Sequence, residues 1–184
     1  MNIANKLTLL RVILIPFFIV FGFINNAACG YIALALFIIA SFTDYLDGHL
    51  ARKLGLVSNF GKFLDPIADK LLVLAALALL TDRNEVSVWV FYIVVARELI
   101  VSGIRLVAAA EGRVIQAAMS GKIKTVIQMI VIILALIPWI NENILSVNIG
   151  IFTVLDILMY IMTLVTLVSG AEYVLKNRDV IKPE

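Results

Sequence analysis

Residues 31–80 read YIALALFIIASFTDYLDGHLARKLGLVSNFGKFLDPIADKLLVLAALALL, and their pattern is the strongest indication of the architecture of this chain. It begins with an apolar run, continues through a polar segment that contains four aspartates, and ends with a second apolar run. Each apolar run approaches the roughly 20 residues that an α-helix needs to cross the hydrocarbon core of a membrane. The pattern therefore predicts two antiparallel membrane helices joined by a short turn, with all four carboxylates near one face of the membrane.

The same alternation of apolar runs and polar breaks extends over the whole chain. Hydrophobic residues make up 62% of the 184 residues, and the mean hydropathy is +1.06. Soluble domains are closer to half apolar. Six runs are long enough to be membrane spans: residues 7–24, 31–50, 63–80, 86–110, 123–140 and 149–175. We therefore expect an all-α, polytopic membrane protein with six transmembrane helices that form one domain over residues 1–184.

The basic residues predict how these helices are oriented. If the six spans are correct, fourteen of the fifteen Lys and Arg residues fall on one side of the membrane, and only Arg83 falls on the other. Such a bias marks the cytoplasmic side. Both termini and the four aspartates are therefore expected on the cytoplasmic side of the cell (inner or plasma) membrane. A net charge of +2 without a basic run argues against a nucleic-acid partner.

The four aspartates have the spacing of a metal site. Asp44 and Asp47 are three residues apart, and Asp65 and Asp69 are four apart, so each pair shares one helix face. Crowded carboxylates in a low-dielectric place cannot all stay ionised unaided, whereas a bound dication removes the problem. Hard oxygen ligands suit Mg²⁺ or Mn²⁺, and four carboxylates can hold two such ions. The alternative is that the aspartates only cap helices or face water.

The full motif also resembles a known family, the CDP-alcohol phosphotransferases. Eight positions with fixed gaps carry the resemblance: Asp44-x2-Asp47-Gly48-x2-Ala51-Arg52-x8-Gly61-x3-Asp65-x3-Asp69. By this resemblance Asp44, Asp47 and Asp65 would be metal ligands. Asp69 would also contact the metal and would be the catalytic general base. Gly48, Ala51, Arg52 and Gly61 would line the site of the CDP-linked lipid, and a homodimer is implied as well.

Three further segments, residues 5–16, 97–105 and 120–128, resemble the family members whose acceptor is glycerol 3-phosphate. The implied reaction transfers the phosphatidyl group of CDP-diacylglycerol to a hydroxyl of glycerol 3-phosphate and releases CMP. Thr8 and Arg11 lie near the cytoplasmic start of the first span, where they would reach the nucleotide. The alternative for both is a helix start and a membrane anchor.

The acceptor phosphate is a dianion, so its site should be cationic. The candidates lie within or between the fourth and fifth spans: Arg105, Arg113, Lys122 and Lys124. Arg105 is the strongest of them because it lies in an otherwise apolar run. The alternative for this group is that the side chains reach lipid head groups. Arg97 is expected to pair with Glu98 or another carboxylate, and Asp156 to hydrogen-bond to a neighbouring helix.

Two other functions stay open at this point. The same chemistry would serve a different acceptor, namely inositol phosphate, serine or phosphatidylglycerol. Inositol phosphate would fit the cations equally well, whereas serine would leave them unexplained. The second alternative is a divalent-cation transporter. Transporter sites usually lie near the middle of the bilayer, often on broken helices, whereas these aspartates lie near one face.

Overall fold

The structure is a computed structural model that describes residues 3–54, 59–113, 115–116 and 118–180, with side chains for all of these except 3–6, 44–54, 59–66 and 139. Six long helices account for most of this part of the chain: α1 Ile3–Phe23, α2 Ala27–Leu54, α3 Asn59–Asp82, α4 Val88–Ala110, α5 Met119–Leu136 and α7 Val154–Lys176. Between α5 and α7 lie a short helix α6, Pro138–Ile140, a π-helical turn, Asn141–Leu145, and the strands β1, Asn148–Ile149, and β2, Phe152–Thr153. A 3₁₀ turn, Arg178–Val180, follows α7.

The helical fold class is confirmed, because each of the six predicted runs falls largely within one of the long helices. By length and composition, α5 and α7 are sufficient to cross a membrane, and Leu7–Phe23 and Ala27–Thr43 form shorter apolar helical segments. Large apolar side chains are exposed on the outside of the bundle, for example Leu106 and Leu164. Extensive exposed apolar surface of this kind is typical of contact with lipid or another protein.

The polar segment between the second and third runs is more helical than predicted. We expected a break over residues 51–62, but α2 continues to Leu54 and α3 begins at Asn59. Hydropathy shows where apolar character ends. A helix can continue beyond that point, because Ala, Arg, Lys and Leu all have high helix propensity.

The predicted ends of the last two spans are wrong. The helix predicted over residues 123–140 ends at Leu136, and the one predicted from residue 149 begins at Val154. Pro138 explains the first difference, since proline disfavours helical backbone in the preceding residue, and Ile137 has φ −79° and ψ 108°. Gly150, with φ +70°, turns the chain between β1 and β2 and so delays the start of α7.

Asp156 does not have the role that the sequence suggested. It forms a capping box at the start of α7 instead of bonding to a neighbouring helix. The Asp156 backbone N–H donates to Thr153 Oγ1 at 3.1 Å, and the Thr153 backbone N–H donates to Asp156 Oδ2 at 2.9 Å. This reciprocal pair satisfies backbone donors that a helix start otherwise leaves without partners.

The helices pack as two groups, which are connected by α3 and by a contact of α2 with α5. α1 lies along α2 and against α3, α4 and α5 both pack on α7, and α3 contacts α4 and α5. The Phe18 and Phe37 rings, with centroids 5.7 Å apart, fill the interface of α1 and α2. The buried Arg11 side chain spans the same interface, where its Nε donates to the Ala40 carbonyl at 3.2 Å.

Candidate functional site

A polar cavity of about 210 Å³ lies at the end of the bundle where α3 and α5 begin and α4 ends. We call it the cationic cavity. Among the described side chains, five of those that line the cavity are cations, and two are carboxylates. The cations are Lys70, Arg97, Arg105, Lys122 and Lys124. The carboxylates are Asp69 and Glu98. Cations in this excess favour binding of an anionic ligand.

Helical spacing explains why these residues converge. On α4, Arg97, Val101 and Arg105 follow each other at intervals of four residues, so they lie on one face. On α5, the lining residues are likewise spaced so that they share one face; they are Gly121, Lys124, Thr125 and Gln128. The two faces meet beside the first half of α3, which contributes Asp69 and Lys70.

A buried ion-pair network holds one wall of the cavity. Glu98 Oε1 is 3.1 Å from Arg97 Nη1 and also accepts a hydrogen bond from Lys124 Nζ. The side chains are 12% exposed for both Arg97 and Glu98 and 4% exposed for Lys124. The predicted pairing of Arg97 with Glu98 is confirmed. Because a buried charge is costly without a partner, Glu98 is what allows two cations to lie this deep.

Arg105 reaches the cavity from the apolar run that made it a candidate. Its Nε donates to the Tyr173 hydroxyl at 3.2 Å, and its Cζ lies 5.5 Å from the centroid of the Tyr173 ring. Lys122, at the start of α5, also lines the cavity. Together with Lys124, three of the four side chains predicted for the acceptor phosphate therefore lie around one space.

The fourth candidate, Arg113, is not part of the lining. It follows α4, is half-exposed, and its Nη2 is 2.5 Å from Asp179 Oδ2, with Glu111 Oε2 3.9 Å from Nη1. The hydrogen bond from Arg113, together with its charge, holds the pKa of the Asp179 carboxyl below its usual range. The role of Arg113 in acceptor binding stays a prediction.

The cavity also contains polar residues that were not predicted as site residues, among them Lys70, Ser102 and Gln128. Lys70 Nζ donates to Ser102 Oγ, which in turn donates to the Glu98 carbonyl oxygen at 2.5 Å. Gln128 is 2% exposed, and its Nε2 has no hydrogen-bond partner among the described residues. A buried amide without a partner is destabilising by about 1–3 kcal/mol, so a polar ligand or water is expected beside it. The sequence did contain a signal for Gln128, because it lies one turn after Lys124 in an otherwise apolar helix.

The aspartate motif lies on the two helices that were expected to carry it. Asp44 and Asp47 fall in the second half of α2, and Asp65 and Asp69 fall in the first half of α3. Of these four side chains only Asp69 is described; it is exposed and lines the cationic cavity. The predicted contacts of the other three, and of the residues predicted to line the lipid-nucleotide site, lie outside the described side chains. Those residues are Gly48, Ala51, Arg52 and Gly61.

The predicted metal ligands fit a divalent ion by the chemistry of their donors, since all four offer carboxylate oxygens. Among the side chains that the structure describes, no three His, Cys, Asp or Glu form such a group. Asp69 is the one member of the predicted set within that search. Thr8, the remaining candidate for the donor site, is buried in α1, three residues before Arg11.

Comparison with known proteins identifies the family. Residues 1–169 match the sequence profile of the CDP-alcohol phosphatidyltransferases. The chain belongs to this family. It is 41% identical to the CDP-diacylglycerol–glycerol-3-phosphate 3-phosphatidyltransferase of Bacillus subtilis, over 98% of this chain and 97% of that protein. The resemblance stated from the aspartate motif is therefore confirmed.

Other relatives in the family are similar over most of their length. The CDP-diacylglycerol–glycerol-3-phosphate 3-phosphatidyltransferase of Rickettsia felis is 34% identical over 94% of this chain and 93% of its own. A probable phosphatidylglycerophosphate synthase of Mycobacterium tuberculosis is 37% identical over 97% of this chain and 83% of its own. The cationic cavity thus occurs in a chain similar along nearly its whole length to proteins named for a phosphorylated acceptor.

Proposed function

We propose that this protein is an enzyme that transfers the phosphatidyl group of CDP-diacylglycerol to glycerol 3-phosphate and releases CMP. The observation that carries the proposal is the cationic cavity beside Asp69. Glycerol 3-phosphate brings a dianionic phosphate and a hydroxyl that must lose a proton. The cavity offers an excess of cations for the phosphate and a carboxylate at its edge for the proton. The names of the relatives agree with this acceptor.

The mechanism follows from the side chains that line the cavity. Arg105 and Lys122 bind the acceptor phosphate, while Lys124 contributes charge that Glu98 partly balances. The acceptor hydroxyl then points toward Asp69, which accepts its proton as general base. The hydroxyl oxygen forms a bond to the lipid-side phosphorus of CDP-diacylglycerol. The bond from that phosphorus to the CMP oxygen breaks, and CMP leaves with the electron pair.

The donor is bound by the aspartate motif. Asp44, Asp47, Asp65 and Asp69 would hold divalent metal, Mg²⁺ or Mn²⁺, as two ions. When bound, such ions stabilise negative charge on the transferred phosphoryl group and on the leaving group. Gly48, Ala51, Arg52 and Gly61 line the cytidine diphosphate site, and Thr8 extends it from α1. The glycines leave room for close approach of the nucleotide.

The membrane arrangement is the second part of the proposal. The six long helices span the cell membrane as a single domain, with both termini and the cationic cavity on the cytoplasmic side. The support is the charge distribution, because the five cations of the cavity lie at one end of the bundle and Arg83 lies at the other. The protein forms a homodimer, as the family resemblance implies.

The test is CMP release by the purified protein in detergent with CDP-diacylglycerol and Mg²⁺. Glycerol 3-phosphate, inositol phosphate, serine and phosphatidylglycerol are offered separately. We expect release with glycerol 3-phosphate alone, abolished by a chelator and restored by added Mg²⁺. Release with a different acceptor would keep the chemistry and overturn the acceptor assignment. If well-folded protein releases no CMP with any of them, uptake of divalent ions into vesicles becomes the function to measure.

A further inference from the structure

We infer that one face of α7, formed by Ser169, Gly170 and Tyr173, positions the two arginines of the cationic cavity. This inference rests on the proposed function, because it assigns these residues a part in acceptor binding. None of the three belongs to the lining of the cationic cavity, and Gly170 and Tyr173 lie beyond the residues that match the family profile. Their contacts are with the side chains of Arg97 and Arg105.

Tyr173 supports Arg105 in two ways. Its hydroxyl accepts the Arg105 Nε–H at 3.2 Å, and its ring lies 5.5 Å from Cζ. Tyr173 is itself 3% exposed, so packing fixes the ring in place. The bond uses the Nε edge of the guanidinium, which leaves the Nη1 and Nη2 groups for a phosphate. A guanidinium with two N–H groups side by side can bind phosphate oxygens in a bidentate manner.

Ser169 and Gly170 support Arg97. Arg97 Nη2 lies 3.4 Å from Ser169 Oγ, and that hydroxyl donates to the Thr166 carbonyl at 3.0 Å, so its lone pairs face the arginine. Gly170 lies directly under the arginine stem. A Cβ at this position would be 2.9 Å from Arg97 Cγ, closer than ordinary packing allows. The glycine therefore lets the stem cross α7 closely while its guanidinium reaches the cavity.

These contacts are expected to act through preorganisation. A long, flexible arginine loses rotamer freedom when it binds a phosphate, and this loss weakens binding. Tyr173, Ser169 and Gly170 already restrict the two side chains in the free protein. The acceptor phosphate thus meets an Arg105 guanidinium that is held in place beside the charge of Arg97, although the residues that hold the two arginines do not touch the phosphate. These three are positioning residues.

The first test is Tyr173→Phe, which keeps the ring and removes the hydroxyl. We expect KM for glycerol 3-phosphate to rise about threefold to tenfold, the range that corresponds to the rotamer freedom that a released arginine side chain loses on binding. KM for CDP-diacylglycerol and the melting temperature should stay unchanged. Tyr160→Phe is the matched control, because Tyr160 lies on the same helix and packs edge-on against Phe152. An unchanged acceptor KM in Tyr173→Phe would overturn the role of Tyr173.

A double-mutant cycle separates positioning from a general effect on the fold. In an Arg105→Ala background, Tyr173→Phe should not raise the acceptor KM further, because the group it positions is gone. Equal effects in both backgrounds would contradict action through Arg105. The wild-type protein is measured in parallel. Its turnover with glycerol 3-phosphate tests the proposed function, so normal wild-type turnover with no coupling in the cycle overturns the positioning role alone.

The second test compares two glycines. Gly170→Ala should displace the Arg97 stem and raise the acceptor KM about threefold, of the order of one weakened hydrogen bond. Gly103→Ala is the control, since a Cβ there would meet nothing within 4 Å. Alanine is the better helix former at both positions, so helix propensity favours both variants equally. If both variants keep the wild-type KM, Gly170 has no positioning role.

Discussion

The bundle has polar cavities at both of its ends, and they differ in how their charges are held. The cationic cavity takes its charged side chains from residues within the helices α3, α4 and α5. The second cavity, of about 400 Å³, lies where the opposite ends of the helices are joined, and we call it the distal cavity. Its polar lining comes mostly from these connections: Asn25, Asn26, Arg83, Glu85, Asn141 and Glu142.

The difference in charge balance shows which cavity is suited to an anionic ligand. Among the described side chains, five cations face two carboxylates in the cationic cavity, whereas Arg83 faces two carboxylates in the distal cavity. Arg83 Nη2 donates to the Gly22 carbonyl, and Glu85 is hydrogen-bonded to Asn141. These bonds tie the connection between α3 and α4 to the end of α1 and to the π-helical turn. Buried polar groups can thus stabilise a fold or bind a ligand. In the cationic cavity, the excess of cations carried by helices favours ligand binding.

The largest expected effect comes from Asp69 at the cationic cavity. Asp69→Asn removes the base and should lower turnover about a thousandfold, within the range of general base catalysis, while CDP-diacylglycerol binding is largely kept. The measurement is CMP release together with lipid binding. Asp82→Asn is the control, because Asp82 ends the same helix toward the distal cavity. Equal loss of turnover and binding in Asp69→Asn would contradict its role as base.

Glu98 should give the next effect, this time on stability. Glu98→Gln leaves the buried Lys124 ammonium without its anionic partner, and breaking such a pair destabilises by about 3 kcal/mol. Thermal unfolding in detergent measures the change. Adding Lys124→Met should restore part of the lost stability, since the uncompensated charge is then removed. A Glu98→Gln variant as stable as the wild type would show that the network contributes little.

Arg105 should affect one substrate constant selectively. Arg105→Ala removes a guanidinium from the cationic cavity, and KM for glycerol 3-phosphate should rise about tenfold to a hundredfold, as expected for a lost hydrogen bond to a charged group. KM for CDP-diacylglycerol should change little. Arg113→Ala should have the smaller effect, because Arg113 pairs with Asp179 outside the lining. If Arg113→Ala raised the acceptor KM more than Arg105→Ala does, the acceptor phosphate would have to bind outside the cationic cavity.

The smallest effect is expected from Glu85 in the distal cavity. Burial raises the pKa of the Glu85 carboxyl, and the hydrogen bond from Asn141 and the charge of Arg83 offset this only in part. The Glu85 carboxyl therefore binds its proton more tightly in the folded protein than in the unfolded chain. Its contribution to the free energy of unfolding falls as pH rises through the raised pKa. As pH rises above the ordinary range of a carboxyl pKa, the stability of Glu85→Gln should increase relative to that of the wild type, with both KM values unchanged. A pH-independent stability difference would contradict this.

The sequence predicted those parts of the cationic cavity that follow from periodicity within a helix. Arg105, Lys122 and Lys124 line one cavity with Asp69, because polar residues in apolar helices turn toward shared polar space. The contacts of Tyr173 and Ser169 were not predictable, because they depend on how α7 packs against α4. The pairing of Arg113 with Asp179 joins residues 66 positions apart and has no local signal either.

The interruption before α7 was predicted, but its length was underestimated for a different reason. A hydropathy pattern averages over many residues, so Pro138, Gly150 and the Thr153–Asp156 capping box were absorbed into two predicted spans. Each is a recognised helix stop, turn or helix start when it is considered alone. Backbone chemistry therefore set the ends of these helices, and apolar character set only their approximate positions.

A crystal or cryo-EM structure of the protein with glycerol 3-phosphate and Mg²⁺ bound would show directly whether the cationic cavity binds the acceptor. We predict that the phosphate lies within hydrogen-bond distance of Arg105 and Lys122, with the free hydroxyl directed toward Asp69. A phosphate held at Arg113, with no ligand in the cationic cavity, would contradict the account.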